Sequence, residues 1–198
     1  MKAEWLKYKL YVFDLDNTLY RETDYLFAAY RRIGEFLAAD DAERAQEYTR
    51  FLCDSFAADG RQGLFQRLLD RYKLHVPIET LLGILRSTEC PLELSATMRQ
   101  VLDELLQSGK HVAILTNGNP QQQKQKITNL RIAQFSPGID IIYAATIAAK
   151  PSPEAVLQLM SAHCAEAAQT VLVGDSETDR QTALNAGIDY IEACYLTK

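Results

Sequence analysis

Leu10-Tyr11-Val12-Phe13-Asp14-Leu15-Asp16-Asn17-Thr18-Leu19 opens on four apolar residues and then breaks into two acids separated by one leucine. A run apolar on both faces reads as a parallel strand covered by helices on each side. The strand therefore delivers Asp14 and Asp16 to the edge of a sheet. Further runs of the same kind follow at His111–Leu115, Ile139–Tyr143 and Thr170–Val173, with a fifth expected at Tyr190–Tyr195. Helical patterns lie between them. Met98 to Ser108 is apolar at Met98, Val101, Leu102, Leu105 and Leu106, and Gly109 is placed to close it. Asn119-Pro120 and Ser152-Pro153 each read as an N-cap followed by proline at the first helical position, and Gly187 can end the helix through Ala186. Strands alternating with helices predict an α/β fold with a doubly wound, Rossmann-like parallel sheet.

Residues 20–88 interrupt the alternation. Tyr25–Tyr30, Glu47–Phe56, Leu64–Tyr72 and Ile78–Leu85 all favour helix, with no strand candidate among them. The expected division is thus an α/β core of residues 1–19 and 89–198 and an inserted all-helical domain of residues 20–88.

The 198 residues carry 47% hydrophobic and 24% charged side chains and a formal net charge of −5. That balance is ordinary for a globular chain and excludes global disorder or a fibrous architecture. Mild acidity argues against a nucleic-acid partner, which needs a basic patch matched to phosphates. No apolar run approaches the roughly 20 residues that span a bilayer, and Met1–Lys7 lacks the apolar core of a signal peptide. A cytoplasmic protein without a membrane or nucleic-acid partner is expected. Cys53, Cys90, Cys164 and Cys194 are far apart, as are His75, His111 and His163, so neither a disulfide framework nor a zinc site is indicated. Buried reduced thiols are the expectation for the four cysteines.

Four polar stations stand where strands or helices end: Asp14-x-Asp16-x-Thr18, Thr116-Asn117-Gly118, Lys150-Pro151 and Gly174-Asp175-Ser176-Glu177-Thr178-Asp179. In an open parallel sheet the carboxyl ends of the strands line one edge, where ligands bind. Asp14, Asp16, Asp175 and Asp179 would bring up to four carboxylates together there. Such like charges repel and call for a cation. With no His or Cys nearby the ligation is all oxygen, which indicates a hard cation, Mg²⁺ being usual beside a phosphate. Thr116 and Lys150 supply a hydroxyl donor and a positive charge for a dianionic phosphate, and the helix after Asn119-Pro120 adds free backbone N–H groups. Each station alone has a plain structural reading as a turn, a cap or a surface lysine. A calcium loop is excluded at the first, because its sixth position needs Gly and this chain has Leu19. Together, in this order and all at strand ends, the four favour a functional site.

The four stations resemble the motifs of the haloacid dehalogenase-like (HAD) hydrolase superfamily, in the same order and across essentially the whole chain. The helical insertion resembles the helical cap that the superfamily inserts after its first motif. The resemblance implies Asp14 as a nucleophile that becomes an aspartyl phosphate. It implies Asp16 as the acid that protonates the leaving oxygen and then activates water. It implies Mg²⁺ held by the Asp14 and Asp175 carboxylates and the Asp16 backbone carbonyl, with Asp179 in support, and phosphoryl binding by Thr116 and Lys150, with Asn117 alongside. An acid two residues after the nucleophile favours phosphate esters over carbon–halogen bonds, since halide leaves without a proton. The expected activity is that of a Mg²⁺-dependent phosphatase on a small phosphorylated metabolite, such as a nucleoside monophosphate, sugar phosphate or phosphoglycolate. A phosphomutase of the same superfamily and a non-catalytic binding protein on this fold are the alternatives.

Residues 20–90 hold nine Arg and one Lys, against three Arg and eight Lys elsewhere. Arg suits bidentate recognition of carboxylate or phosphate, yet twelve acids share the segment, so solvated surface pairs are the expectation for most. Tyr25, Phe27 and Tyr30 read as packing residues. The chain ends soon after the fifth strand, without the further helix of many relatives, and the modest cap predicts a site open to solvent.

Overall fold

The computed structural model describes residues 6–135 and 138–195. They divide into two compact units, one of Glu22–Pro91 and one made of the chain up to Arg21 and from Leu92 onward.

The second of these units is built on five parallel strands: β1 (Leu10–Phe13), β2 (His111–Thr116), β3 (Ile139–Tyr143), β4 (Thr170–Gly174) and β5 (Asp189–Glu192). Their order is β3-β2-β1-β4-β5, so the chain winds outward from β1 first to one side and then to the other. This is the doubly wound α/β arrangement that the apolar runs predict. Every residue of β1 is fully buried, as a central strand covered on both faces must be. Leu10 and Val12 join Ala113, Leu115 and Leu172 in one core, filled from above by Ala155, Val156 and Leu159 of α7 (Glu154–Ala162) and Ala183 of α8 (Glu177–Ala186). Met98, Val101, Leu102 and Leu105 are the buried face of α5 (Ala96–Gln107), which Ser95 caps by accepting from the Met98 N–H at 3.2 Å.

Strand register sets which residues emerge together at the sheet edge. Phe13 pairs with Ile114 on one side and Val173 on the other. The next row therefore sets Asp14 beside Leu115 and Gly174, one step short of Thr116 and Asp175. Asp14 extends this row, its N–H donating to the Val173 carbonyl at 2.8 Å.

Two boundaries differ from the sequence expectation. The fifth strand runs only to Glu192 and turns into a 3-10 segment at Ala193–Tyr195. At the seventh helix Pro153, not Ser152, is the N-cap, and the Ser152 hydroxyl only reaches the Glu154 N–H at 3.4 Å. The cysteines also differ. Cys164 and Cys194 are exposed, Cys53 and Cys90 half-buried, and all four are free thiols. Cys164 sits in the left-handed turn just after α7, exposed although the next residue, Ala165, belongs to the core.

The other unit is all helical: α1 (Glu22–Ala38), α2 (Ala42–Asp59), α3 (Leu64–Tyr72) and α4 (Ile78–Arg86). Asp41 caps α2 by accepting from the Arg44 N–H at 3.0 Å. Tyr25 is fully buried and its hydroxyl donates to the Leu85 carbonyl at 2.6 Å, tying α1 to α4. Tyr30 is buried too, whereas Phe27 is 41% exposed and rests edge-on against Phe56. Several arginines pair with acids of the same unit, Arg61 with Glu22 at 2.7 Å and Arg31 with Glu35 at 3.6 Å. Among the described residues, no helix is long and apolar enough to cross a membrane.

Helices α1 and α2 meet at Gly34, where a Cβ would fall 2.4 Å from Thr49 Oγ1 and 2.6 Å from the Ala45 carbonyl oxygen. Backbone cannot give way as a flexible side chain can. Gly34→Ala is expected to lower stability by about 1–3 kcal/mol despite the helix propensity it gains, read as a fall in the thermal unfolding midpoint.

Candidate active site

The carboxyl ends of β1, β2 and β4 meet at one edge, and what they carry there is set by local structure. β1 hands over Asp14, only 8% exposed. β2 ends on Thr116, still further withdrawn from solvent. β4 ends on Gly174, followed by Asp175 and by Ser176, which caps α8. In that cap the Ser176 hydroxyl accepts from the Asp179 N–H at 3.2 Å and donates to Asp179 Oδ2 at 2.5 Å. The capping box turns the Asp179 side chain back across Gly174. A Cβ on Gly174 would lie 2.6 Å from the Asp179 carboxyl group, so only glycine lets Asp179 take this position.

Lys150 joins the group from the loop after β3. Its Nζ donates to Asp14 Oδ1 and to Asp179 Oδ1, each at 2.5 Å, and the residue is buried. Its backbone is clamped by Asn117, whose amide donates to the Lys150 carbonyl at 3.0 Å and accepts from the Lys150 N–H at 2.9 Å. Asn117 thus spends both ends of its side chain on placing Lys150. Asn185 donates to the Pro151 carbonyl at 2.9 Å and steadies the same loop.

One ammonium faces two buried carboxylates, so the cluster carries excess negative charge. Burial opposes the charge on Lys150, yet Asp14 and Asp179 outweigh it and hold the lysine pKa above its ordinary value. For Asp14 burial is foremost, Lys150 opposes it, and the Asp179 charge adds to it; the carboxyl is pushed up to about 7. Burial and then Asp179 push Asp175 upward as well. Asp14, Asp175 and Asp179 each offer an oxygen within 4.8 Å of the others, with Asp175 exposed at the open side. Three crowded carboxylate oxygens, no nitrogen or sulfur ligand and unrelieved negative charge make a donor set that fits a hard divalent cation.

Asp16 takes a different place from the one its neighbours suggest. Its side chain is outside the three-carboxylate group and turns to α6 (Pro120–Asn129). Lys126 Nζ donates to both of its oxygens, at 2.9 and 2.7 Å, Gln123 Nε2 to Oδ2 at 2.9 Å, and the Tyr20 hydroxyl to Oδ1 at 2.6 Å. Gln123 also donates to Thr116 Oγ1 at 2.5 Å. Sequence reasoning passed over Tyr20, Gln123 and Lys126. A signal for the last two was present: they share a face with Ile127, the one clear apolar residue of that helix, at i, i+3 and i+4.

A parallel sheet whose strand ends gather a buried lysine, a threonine hydroxyl and a carboxylate cluster has the ligand-binding edge of a Rossmann-like fold. Residues 11–193 match the sequence profile of the haloacid dehalogenase-like hydrolases, and the chain belongs to that family. A phosphoglycolate phosphatase from Vibrio parahaemolyticus is 33% identical over 92 residues, which are 46% of this chain and 40% of that enzyme. Among solved structures, a protein described as a β-phosphoglucomutase from Thermotoga maritima superposes with a TM-score of 0.67 at 17% identity, covering 91% of this chain and 82% of the other. YfnB from Bacillus subtilis, described as a HAD hydrolase and solved with magnesium bound, also gives 0.67, at 20% identity over 93% and 86% of the two chains. These two likenesses concern the fold.

The crowding has two measurable consequences. Gly174→Ala displaces Asp179 and should lower stability by about 1–3 kcal/mol, read as a lower midpoint in a denaturant titration. Asp14 has a folded pKa above its unfolded one, so the native state binds its proton more tightly. The stabilisation from that proton is complete below about pH 4 and is lost as pH rises through about 7. In chelator at pH 8, Asp14→Asn should therefore be more stable than the wild type, and the gain should vanish at pH 4 in denaturant titrations.

Proposed function

We propose that the protein is a Mg²⁺-dependent phosphatase that hydrolyses a small phosphorylated metabolite through an aspartyl phosphate on Asp14. The observation that carries this reading is the buried Lys150 ammonium 2.5 Å from both Asp14 and Asp179, with Thr116 at the end of the neighbouring strand.

Asp14 Oδ attacks phosphorus and the bond from phosphorus to the ester oxygen breaks. Asp16 gives that oxygen its proton, so the alcohol leaves neutral. Water then attacks the aspartyl phosphate, Asp16 takes the water's proton, and inorganic phosphate departs with Asp14 regenerated. Lys150 and Thr116 hold phosphoryl oxygens and offset their charge, which is where most of the rate enhancement in such transfers arises. Asn117 keeps Lys150 in reach, and Asp179 shares its ammonium with Asp14. Asp14, Asp175 and Asp179 would hold Mg²⁺, with the Asp16 backbone carbonyl as a further ligand; the ion, when bound, supplies charge for the nucleophile and the phosphoryl group. The residues 22–91 unit would serve as the cap, with the choice of substrate resting in part on it.

The Vibrio relative puts phosphoglycolate first among substrates to test, followed by sugar phosphates and nucleoside monophosphates. Phosphate release from these and from 4-nitrophenyl phosphate should require Mg²⁺, cease in EDTA and fall by at least ~10³-fold in Asp14→Asn. Wild-type turnover no faster than that of Asp14→Asn across the panel would refute the reading. Isomerised sugar phosphate without phosphate release would replace it with a mutase.

A further inference from the structure

Helix α6 buries Gln123, Lys126 and Ile127, two polar side chains where a surface helix ordinarily turns apolar ones inward. Lys126 is 1% exposed. Burying an ammonium is unfavourable unless it is paired, and a methionine of similar length would fill the same space without that penalty. Packing alone therefore gives no reason for a lysine here, and its geometry supplies one. The ammonium chelates both oxygens of Asp16, while Tyr20 and Gln123 each bond one of them. Four donor contacts converge on its two oxygens and restrain its side-chain torsions. Asn17, the next residue, has φ of 58°, so Asp16 stands on a sharp turn beyond the strand, where the sheet no longer orients it. The Gln123 amide bridges Asp16 Oδ2 and Thr116 Oγ1. One rigid helix, capped at Asn119, thereby fixes the spacing between the carboxylate and the hydroxyl.

We propose that Lys126 is a positioning residue that holds the Asp16 carboxylate at the reaction edge, with Gln123 locking that position to Thr116. The inference rests on the reading of Asp16 as the acid and base of phosphoryl transfer. In this role Lys126 acts through Asp16, whose two oxygens its ammonium bonds. Loss of the chelating ammonium frees the carboxylate to rotate away from the leaving oxygen. Turnover falls while affinity, which depends on Lys150 and Thr116, is kept.

The test is a double-mutant cycle on the full chain with saturating Mg²⁺, using 4-nitrophenyl phosphate and 2-phosphoglycolate as probes. Lys126→Met is expected to lower kcat by about 10²-fold, the scale of a misplaced acid–base group, with KM changed by less than about threefold. In the Asp16→Asn background the same substitution should cost less than about twofold, because the group it positions is gone. Lys126→Arg should recover kcat to within about tenfold of wild type, since the guanidinium can still grip both oxygens. An equal loss in both backgrounds would mark a general structural role and overturn the proposal, as would Lys126→Met turning over within threefold of an active wild type. An inactive wild type would end this inference together with the phosphatase reading, whereas the other two outcomes leave that reading standing. Should circular dichroism show Lys126→Met unfolded, Lys126→Gln takes its place in the cycle with the same outcomes.

Discussion

A single ammonium shared between two buried carboxylates is the constraint around which the edge of the sheet is arranged. Lys150 cannot neutralise Asp14 and Asp179 together, and both acids are buried. Many neighbouring features serve that contact. Asn117 fixes the backbone of Lys150, Asn185 steadies the following proline, Ser176 cradles Asp179, and Gly174 leaves room for Asp179 to cross the end of β4. The arrangement is poor for stability, since like charges are held close in a medium that screens them weakly. Its electrostatic strain fits a site that accepts a cation and an anionic substrate, each of which offsets what the other would leave unbalanced.

Beside this charged knot lies a second one in which one ammonium meets one carboxylate. Asp16 is satisfied by a lysine, an amide and a phenol, so it is held where Asp14 is strained. Two carboxylates two residues apart in sequence thus occupy different electrostatic settings. That separation is what a reaction needing one nucleophile and one acid–base group requires. It is produced by the strand itself: Asp14 still belongs to the sheet through its N–H bond to Val173, whereas Asp16 lies past the turn and faces α6.

The apolar runs make the sheet legible in the sequence, because four or five consecutive buried side chains have few other places to go. The helix signals at Asn119-Pro120 and Gly187 hold in the structure, where Asn119 accepts from the Gln122 N–H at 3.2 Å and Gly187 is left-handed. The shift from Ser152 to Pro153 and the early end of β5 are displacements of one and three residues at element ends, where local signals are weakest. The cysteines depart from expectation because burial of a small thiol depends on which side of a turn it falls, and composition is silent on that.

Sequence by itself determined the alternation of strands and helices, the helical segment that comes after β1 and the placing of acidic and basic residues at strand ends, since these depend on local patterning and short-range spacing. Tertiary structure alone decided which oxygen meets which nitrogen. Lys150 reaches Asp14 across 136 positions of chain and Lys126 reaches Asp16 across 110. Contacts so distant in sequence are fixed by strand register and helix packing, where a shift of one residue turns every side chain to the opposite face, and no local pattern records that choice.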